Sequence, residues 1–447
     1  MNLCSSAASF SFRRLLVALA VMVASAASLQ AAPMLVTNEQ AARHGLERAW
    51  FAQVPVDASR SRVTNWTLYY DRLYSVTNSG IVTALNAETG ETLWSKQVGK
   101  PGYPAFGPGA NADHLGVVSG SKLYVLNRHD GRLEWVRQLG SAPSSGPALS
   151  EKYAFVALVT GRIEGYLLDD PAAQPWYYQS KGRTFLRPTT TGKIVTWPTT
   201  AGYLYASRAD DPGVLYRLET NADIITSPAA MTPYLYIASQ DGYLYCLNED
   251  TGDEAWRFST GYAIDSSPAI VGDMAYVASV EPAIHALHAK TGAEQWATPG
   301  ASHFAARGKE RVYASDRFGN LLVLDSKTGN PVSRMAVAEG ASTLVNDQTD
   351  RIFLVTEGGL VQCLHEIGAE TPTVHRQPEP PGVEDVPPAA PGTEAAAAAP
   401  AVEGEAPAAD AEAEEASPFE MEDGTAEEVP ADDAAETPVD DENPFGF

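Results

Sequence analysis

A spacing of ten residues governs this chain. In the stretch from Thr226 to Gly261, TSPAAMTPYLYIASQDGYLYCLNEDTGDEAWRFSTG, a small or apolar residue is followed two positions on by Asn or Asp, then by a Thr-Gly turn, and after ten positions by tryptophan. Cys246 and Trp256 stand ten apart in this way, as do Ala84 and Trp94; Val125 and Trp135 keep the spacing with Asp130-Gly131 at the turn, and Ala286 and Trp296 with His288 at the second position. Tyr166 to Trp176 and Ala206 to Tyr216 keep the spacing without the turn, and Val323 lands on Ser333. Around each pair lie short apolar runs bounded by turn residues, which read as strands: Ser227 to Met231, Tyr234 to Ala238, Tyr243 to Leu247 and Ala255 to Ser259 in the best copy. Asp241-Gly242 between the second and third predicts a type I′ hairpin, with φ above zero at both residues. One four-stranded meander cannot bury both faces and must stack on its copies, and a period of about 40 residues is that of propeller blades.

The ends of the repeat region complete each other. Leu46 to Val54, with Trp50, resembles a fourth strand without three before it, whereas Ala341 to Glu366 supplies three strands without a fourth. The sequence therefore predicts an all-β, eight-bladed propeller over residues 46–368, whose last blade is closed by the N-terminal strand. Closure removes the open edge that invites aggregation. The first strand of each blade is expected innermost, beginning near a recurring proline (Pro104, Pro147, Pro188, Pro228, Pro268), and the tryptophan strand outermost. Trp50, Trp94, Trp135, Trp176, Trp256 and Trp296 then read as packing between blades. Cys246 and Cys363, three blades apart, are expected to be buried free thiols, because a disulfide tolerates only about 7 Å between Cα atoms.

Outside the repeats, Arg13 and Arg14 precede the apolar run Leu15 to Val23 and an Ala24-Ser25-Ala26 cleavage pattern. Residues 1–32 thus read as a secretory signal peptide, and 33–45 as a lead-in. The run is too short to stay in a bilayer. Cys4 precedes it, where a lipoprotein cysteine would follow, so a periplasmic or secreted protein with no lipid anchor or transmembrane span is expected. Residues 369–447 read as a disordered Ala/Pro/Glu-rich tail, and 371–447 hold 21 acidic side chains against one basic, Arg376. That segment carries −20 of the formal −25. Its aromatic islands, Ser417 to Glu420 and the end with Pro444, Phe445 and Phe447, read either as docking motifs or as incidental parts of a solubilising bristle.

The repeats resemble the PQQ-repeat propeller family, which includes quinoprotein alcohol dehydrogenases and BamB-type outer-membrane assembly proteins. The resemblance runs from about Trp50 to Leu364. It implies a propeller but not an activity, since one fold hosts many functions. The quinoprotein enzymes carry adjacent, disulfide-bonded cysteines and a calcium site, whereas this chain has no adjacent cysteines. The resemblance is nearer in character to the BamB type, although those are lipoproteins and lack such a tail.

Other chemistry is sparse. His285 and His288, three apart on a strand, point to opposite faces. The Gly99 to Gly109 region has prolines where a phosphate loop needs a helix, and no G-x-S-x-G elbow is present. Neither a cofactor nor a metal site is expected. On the face bearing the loops that leave the outermost strands, a basic and aromatic sector is expected at the channel mouth: Lys96, Lys100, Arg137, Lys181, Arg183 and Arg187, with Tyr103, Phe106, Tyr177, Tyr178 and Phe185. Asp223 and Asp265 approach from later blades, followed by His303. Such a mouth suits an anionic partner, either an acidic protein segment, an anionic glycan or the chain's own tail. The functional expectation is a non-catalytic, monomeric binding or assembly scaffold for another envelope or secreted protein or an anionic glycan, with no nucleic-acid role. The alternative is a quinone-dependent oxidoreductase or cofactor carrier using the channel mouth.

Overall fold

The computed structural model describes residues 35–57, 59–191 and 193–376. The signal-peptide reading, most of the tail and both aromatic islands, with Pro444, Phe445 and Phe447, lie outside the described residues. Within them the chain forms eight four-stranded antiparallel sheets, seven of them meanders of consecutive strands. The eighth places Leu46–Gln53 beside Leu360–Glu366, Ile352–Thr356 and Ala341–Leu344, with Trp50 opposite Cys363. The N-terminal strand is thus the outer strand of the last blade, and the eight-bladed propeller is the fold. Its middle strands, such as Tyr234–Ala238, are buried on both faces between neighbouring blades, whereas outer strands such as Val214–Glu219 alternate.

The ten-residue spacing is a cross-strand pair. Ala84 faces Trp94, Val125 faces Trp135, Cys246 faces Trp256 and Ala286 faces Trp296, each followed by a bulge on the way to the turn. The Asn or Asp caps that turn: Asn248 Oδ1 accepts from the amides of Asp250 and Thr251 at 2.9 and 3.1 Å, and Asn86 does the same for Glu88 and Thr89. Each tryptophan then docks on the next blade's turn. Trp94 Nε1 donates to Arg128 O, Trp135 to Leu168 O, Trp256 to Ala289 O and Trp296 to Ser326 O, all at 3.0–3.1 Å. The turn glycine is the floor of this contact, since a Cβ on Gly90, Gly131, Gly292 or Gly329 would enter the preceding blade's indole.

Several local expectations change. Gly242 has φ +84, but Asp241 is not left-handed; Gly242 N bonds Ser239 O and Ser239 N bonds Tyr243 O, both at 3.1 Å. The hairpin is therefore longer by a residue than type I′, because a single left-handed glycine already turns the chain. In blade 2 the proline before the first strand is Pro108, not Pro104, since the strand is Gly109–Ala110. Trp176 pairs with Gly165 rather than Tyr166, as its hairpin lacks the Thr-Gly turn and the bulge. It packs on Trp197 instead, at 6.3 Å between ring centres.

The lead-in is part of the core. Thr37 caps a short helix, Asn38–Ala42, and Leu35, Val36 and Ala41 are buried between blades 7 and 8 with Val323, Met335, Ile352 and Leu364. Val36 exchanges two hydrogen bonds with the buried Gln362 amide, at 2.9 and 2.8 Å. This is the seam where the tryptophan position is Ser333, so the lead-in supplies the apolar bulk that the repeat omits.

The propeller also holds the start of the expected tail. Buried Arg351 bonds Glu88 of blade 1 at 3.0 Å and the carbonyls of Ala369 and Glu370 at 2.9 and 2.7 Å. Farther on, Asp350 N bonds Thr373 O and His375 N bonds Gln348 O. Residues 369–376 are therefore ordered against blade 8, because unpaired carbonyls there meet a buried guanidinium.

Candidate functional site

Hydrogen bonds assign the two faces. Loops leaving the outer strands lie against the turn between strands two and three of the next blade: Thr200 N bonds Arg183 O, Gln240 N bonds Asp223 O and Val280 N bonds Ala263 O, at 2.8–3.0 Å. The Thr-Gly turns lie on the opposite face with the loops between strands one and two, as in the bond from Ala289 N to Asp273 O. First strands of blades 2 to 6 are successive neighbours, which places them around the axis. A cavity of about 400 Å³ lies there, lined by first strands and the loops leading into them from blades 1, 2, 3, 4 and 8. It is the channel.

Arg187 and Phe185 line this cavity with Phe106. Arg187 Nη1 donates to Pro108 O at 2.6 Å across to blade 2. Its side chain is open to channel space yet crowded by protein, and that burial pulls its pKa below the ordinary guanidinium value. The repeat explains the crowding, for the residue before the first-strand proline is Gly107, Gly146, Ser227 or Ser267 in blades 2, 3, 5 and 6 and arginine in blade 4 alone among these.

Other expected site residues lie farther out. Lys181 Nζ bonds the Tyr203 hydroxyl at 3.0 Å, and that bond raises its pKa; Tyr203 in turn bonds Glu219 at 3.2 Å. Arg183, Tyr103, Asp223 and Asp265 are exposed on the mouth face, in loops leading into blades 4, 2, 5 and 6. His303 is exposed on the innermost strand of blade 7. Some neighbours are not at the mouth. Arg137 donates to the carbonyls of Pro171 and Ala173, in the opposite-face turn of blade 3, and Lys96 runs beside Trp94 against Gly131. Tyr177 lies under Arg162, 3.7 Å from its guanidinium, and Tyr178 packs on Trp197 and Tyr205. Along an outer strand, Lys96, Arg137 and Tyr178 are in phase with the tryptophan and follow it toward the next blade, whereas Tyr177, one residue out of phase, stays on Arg162 of its own blade.

The mouth face also carries an apolar set absent from the expected sector. Ile225, Tyr262, Val280 and Phe318 are exposed there, Phe318 at 71%, and with Tyr103, Val159 and Phe185 they span blades 2 to 7. Its sequence signal is an apolar residue inside a Gly/Asp/Ser turn: Phe185 and Ile225 each stand three residues before a first-strand proline, where blade 6 has Asp265. Among the described residues no group of three or more His, Cys, Asp or Glu is placed to hold a metal ion, and no helix is long and apolar enough to cross a membrane.

The PQQ_2 family, described as outer membrane protein assembly factor BamB, matches residues 47–211, 195–303 and 281–400. The chain belongs to this family. Among solved structures, BamB from Moraxella catarrhalis is similar at 18% identity and TM-score 0.58, covering 72% of this chain and 99% of that one. The computationally designed Ika8 protein covers 70% and all of its own length, at 14% identity and TM-score 0.55. The C-terminal WD40 domain of Sif2 covers 72% and 98%, at 12% identity and TM-score 0.57. At such identities these likenesses concern the fold alone. No curated protein matches the chain.

Proposed function

We propose that this BamB-family propeller is a non-catalytic, extracytoplasmic scaffold that docks another envelope protein on its mouth face. The observation that carries the reading is that Tyr103, Val159, Phe185, Ile225, Tyr262, Val280 and Phe318 are exposed together on the loops of one face around the channel. Exposed apolar groups gathered on one surface mark interaction sites, because leaving them in water costs free energy that a partner recovers. The family description supports an assembly role, and the arginine-flanked apolar run at the N-terminus supports export. Arg183, Asp223 and Asp265 would set orientation and encounter rate more than affinity.

A photo-cross-linking amino acid at Tyr262 or Phe318 tests this in the native cell, with Lys309 on the opposite face as control. The expected result is a discrete protein adduct from the mouth positions that disappears when Ile225 and Val280 are both changed to Asp. Adducts from Lys309 alone, or none sensitive to those changes, would reject the mouth.

A further inference from the structure

We propose that the channel cavity receives one carboxylate carried on an apolar or aromatic body, with Arg187 as its anchor. The inference rests on the mouth being a binding face and names the chemistry its centre recognises. Among the described residues that line the cavity, Arg187 is the only charged one. A guanidinium offers five donors, and the hydrogen bond to Pro108 O engages Nη1. Among the described residues no carboxylate pairs with it. Arg187 is open to the channel and its other guanidinium nitrogens face no carboxylate, so an incoming anion meets a positive charge that is not already neutralised.

The walls agree with this ligand. Asn65 accepts from Thr67 through its carbonyl oxygen at 2.8 Å, which leaves its amide as a second donor, and the Ser144 hydroxyl has no hydrogen-bond partner. Among the described residues the lining holds no acidic side chain, while Trp66, Leu68, Phe106, Phe185, Leu344 and Val345 supply apolar surface. One positive charge in a mixed polar and apolar cleft pairs with one negative charge, so a dianionic phosphate would enter with a charge uncompensated. A planar carboxylate also matches the guanidinium fork. The volume of about 400 Å³ lies at the small end of ligand pockets. The carboxylate can belong to an acidic residue of a bound protein or to a free organic acid.

Calorimetry on the full chain separates these cases with N-acetyl-phenylalanine, its carboxamide, and an end-blocked peptide holding one Glu between two Phe. Both acids should bind, the carboxamide about tenfold or more weaker than its acid, as loss of a charge-assisted hydrogen-bond pair implies. Arg187→Gln should lower acid affinity by a similar factor and leave the carboxamide unchanged, while melting like the parent. Val345→Trp, which fills the cavity and keeps the arginine, should weaken acid and carboxamide alike and serves if Arg187→Gln fails to fold. A tighter blocked peptide assigns a protein segment; a tighter N-acetyl-phenylalanine assigns a free acid. Equal binding of acid and carboxamide, acid binding indifferent to Arg187→Gln, or no binding of either acid would overturn the proposal. Mouth cross-links without acid binding would sink this inference alone, and acid binding without cross-links would sink only the docking reading.

Discussion

Trp50 Nε1 donates to Ala87 O at 3.1 Å, so the outer strand of the last blade, which is the first strand of the chain, is fastened to the first complete blade. Its indole lies over Gly90 as Trp94 lies over Gly131. The closing seam therefore uses the same contact as the seams that follow blades 1, 5 and 6.

Glycine substitution isolates that contact. Gly90 and Gly261 share a left-handed backbone, φ +72 and +79, but only Gly90 faces a ring, while nothing lies within 4 Å of a Cβ on Gly261. Gly261→Ala should cost about 1 kcal/mol through strain, and Gly90→Ala about 1–3 kcal/mol more through overpacking. Equal losses in chemical denaturation would mean that the indole does not depend on the glycine.

Two truncations should separate edge closure from seam filling. Removing residues 33–56 deletes the outer strand of blade 8 and exposes Leu360–Glu366 as an edge, so aggregation is expected. Removing 33–44 keeps that strand but strips Leu35, Val36 and Ala41 from the seam and orphans the Gln362 amide. This shorter deletion should stay monomeric by light scattering and melt several degrees lower. A full-length melting temperature after the longer deletion would contradict the closure, and after the shorter one the seam filling.

The two described cysteines should resist alkylation in the native state. Cys246 and Cys363 are buried and unbridged; burial pushes the Cys246 thiol up to about 12 and Cys363 higher as well, so neither forms thiolate near neutral pH. Iodoacetamide should modify both only after unfolding. Mass spectrometry that finds them bridged would refute their placement in blades 5 and 8.

Acid should loosen the turn of blade 7. Burial acts to raise the Asp316 pKa, but hydrogen bonds from Asn320 and Phe318 and the nearby Arg334 outweigh it, so the net shift is downward. A depressed folded-state pKa contributes stability that is present above the unfolded value, about 4, and is lost as pH falls through the folded value. Asp316→Asn should lower stability at pH 7 and flatten the loss below pH 4. An unchanged acid limb in pH-dependent melting would assign that limb to other carboxylates.

How much was legible in advance differs by residue. The ten-residue pair, the Thr-Gly turn and the unmatched strand around Trp50 were readable because a local turn and its cross-strand partner are written in consecutive residues. Blade count and closure follow from them. Arg187 and Phe185 were also legible as loop residues before a proline, since the repeat register alone brings them to the axis.

Tertiary structure decided what register cannot carry. Ser333 marks a missing tryptophan, but only three-dimensional packing sends Leu35 and Val36, about 300 residues earlier, into the vacant seam. Arg137 and Lys96 read as mouth residues because they end outer strands, yet their long side chains turn toward the next blade, Arg137 to the carbonyls of Pro171 and Ala173 and Lys96 to Gly131. The apolar crown of Ile225, Tyr262, Val280 and Phe318 is scattered through turns whose local sequences look ordinary. Repetition encodes short-range geometry; the destination of a flexible side chain and the filling of a gap depend on atoms distant in the chain, and those become neighbours only when the ring closes.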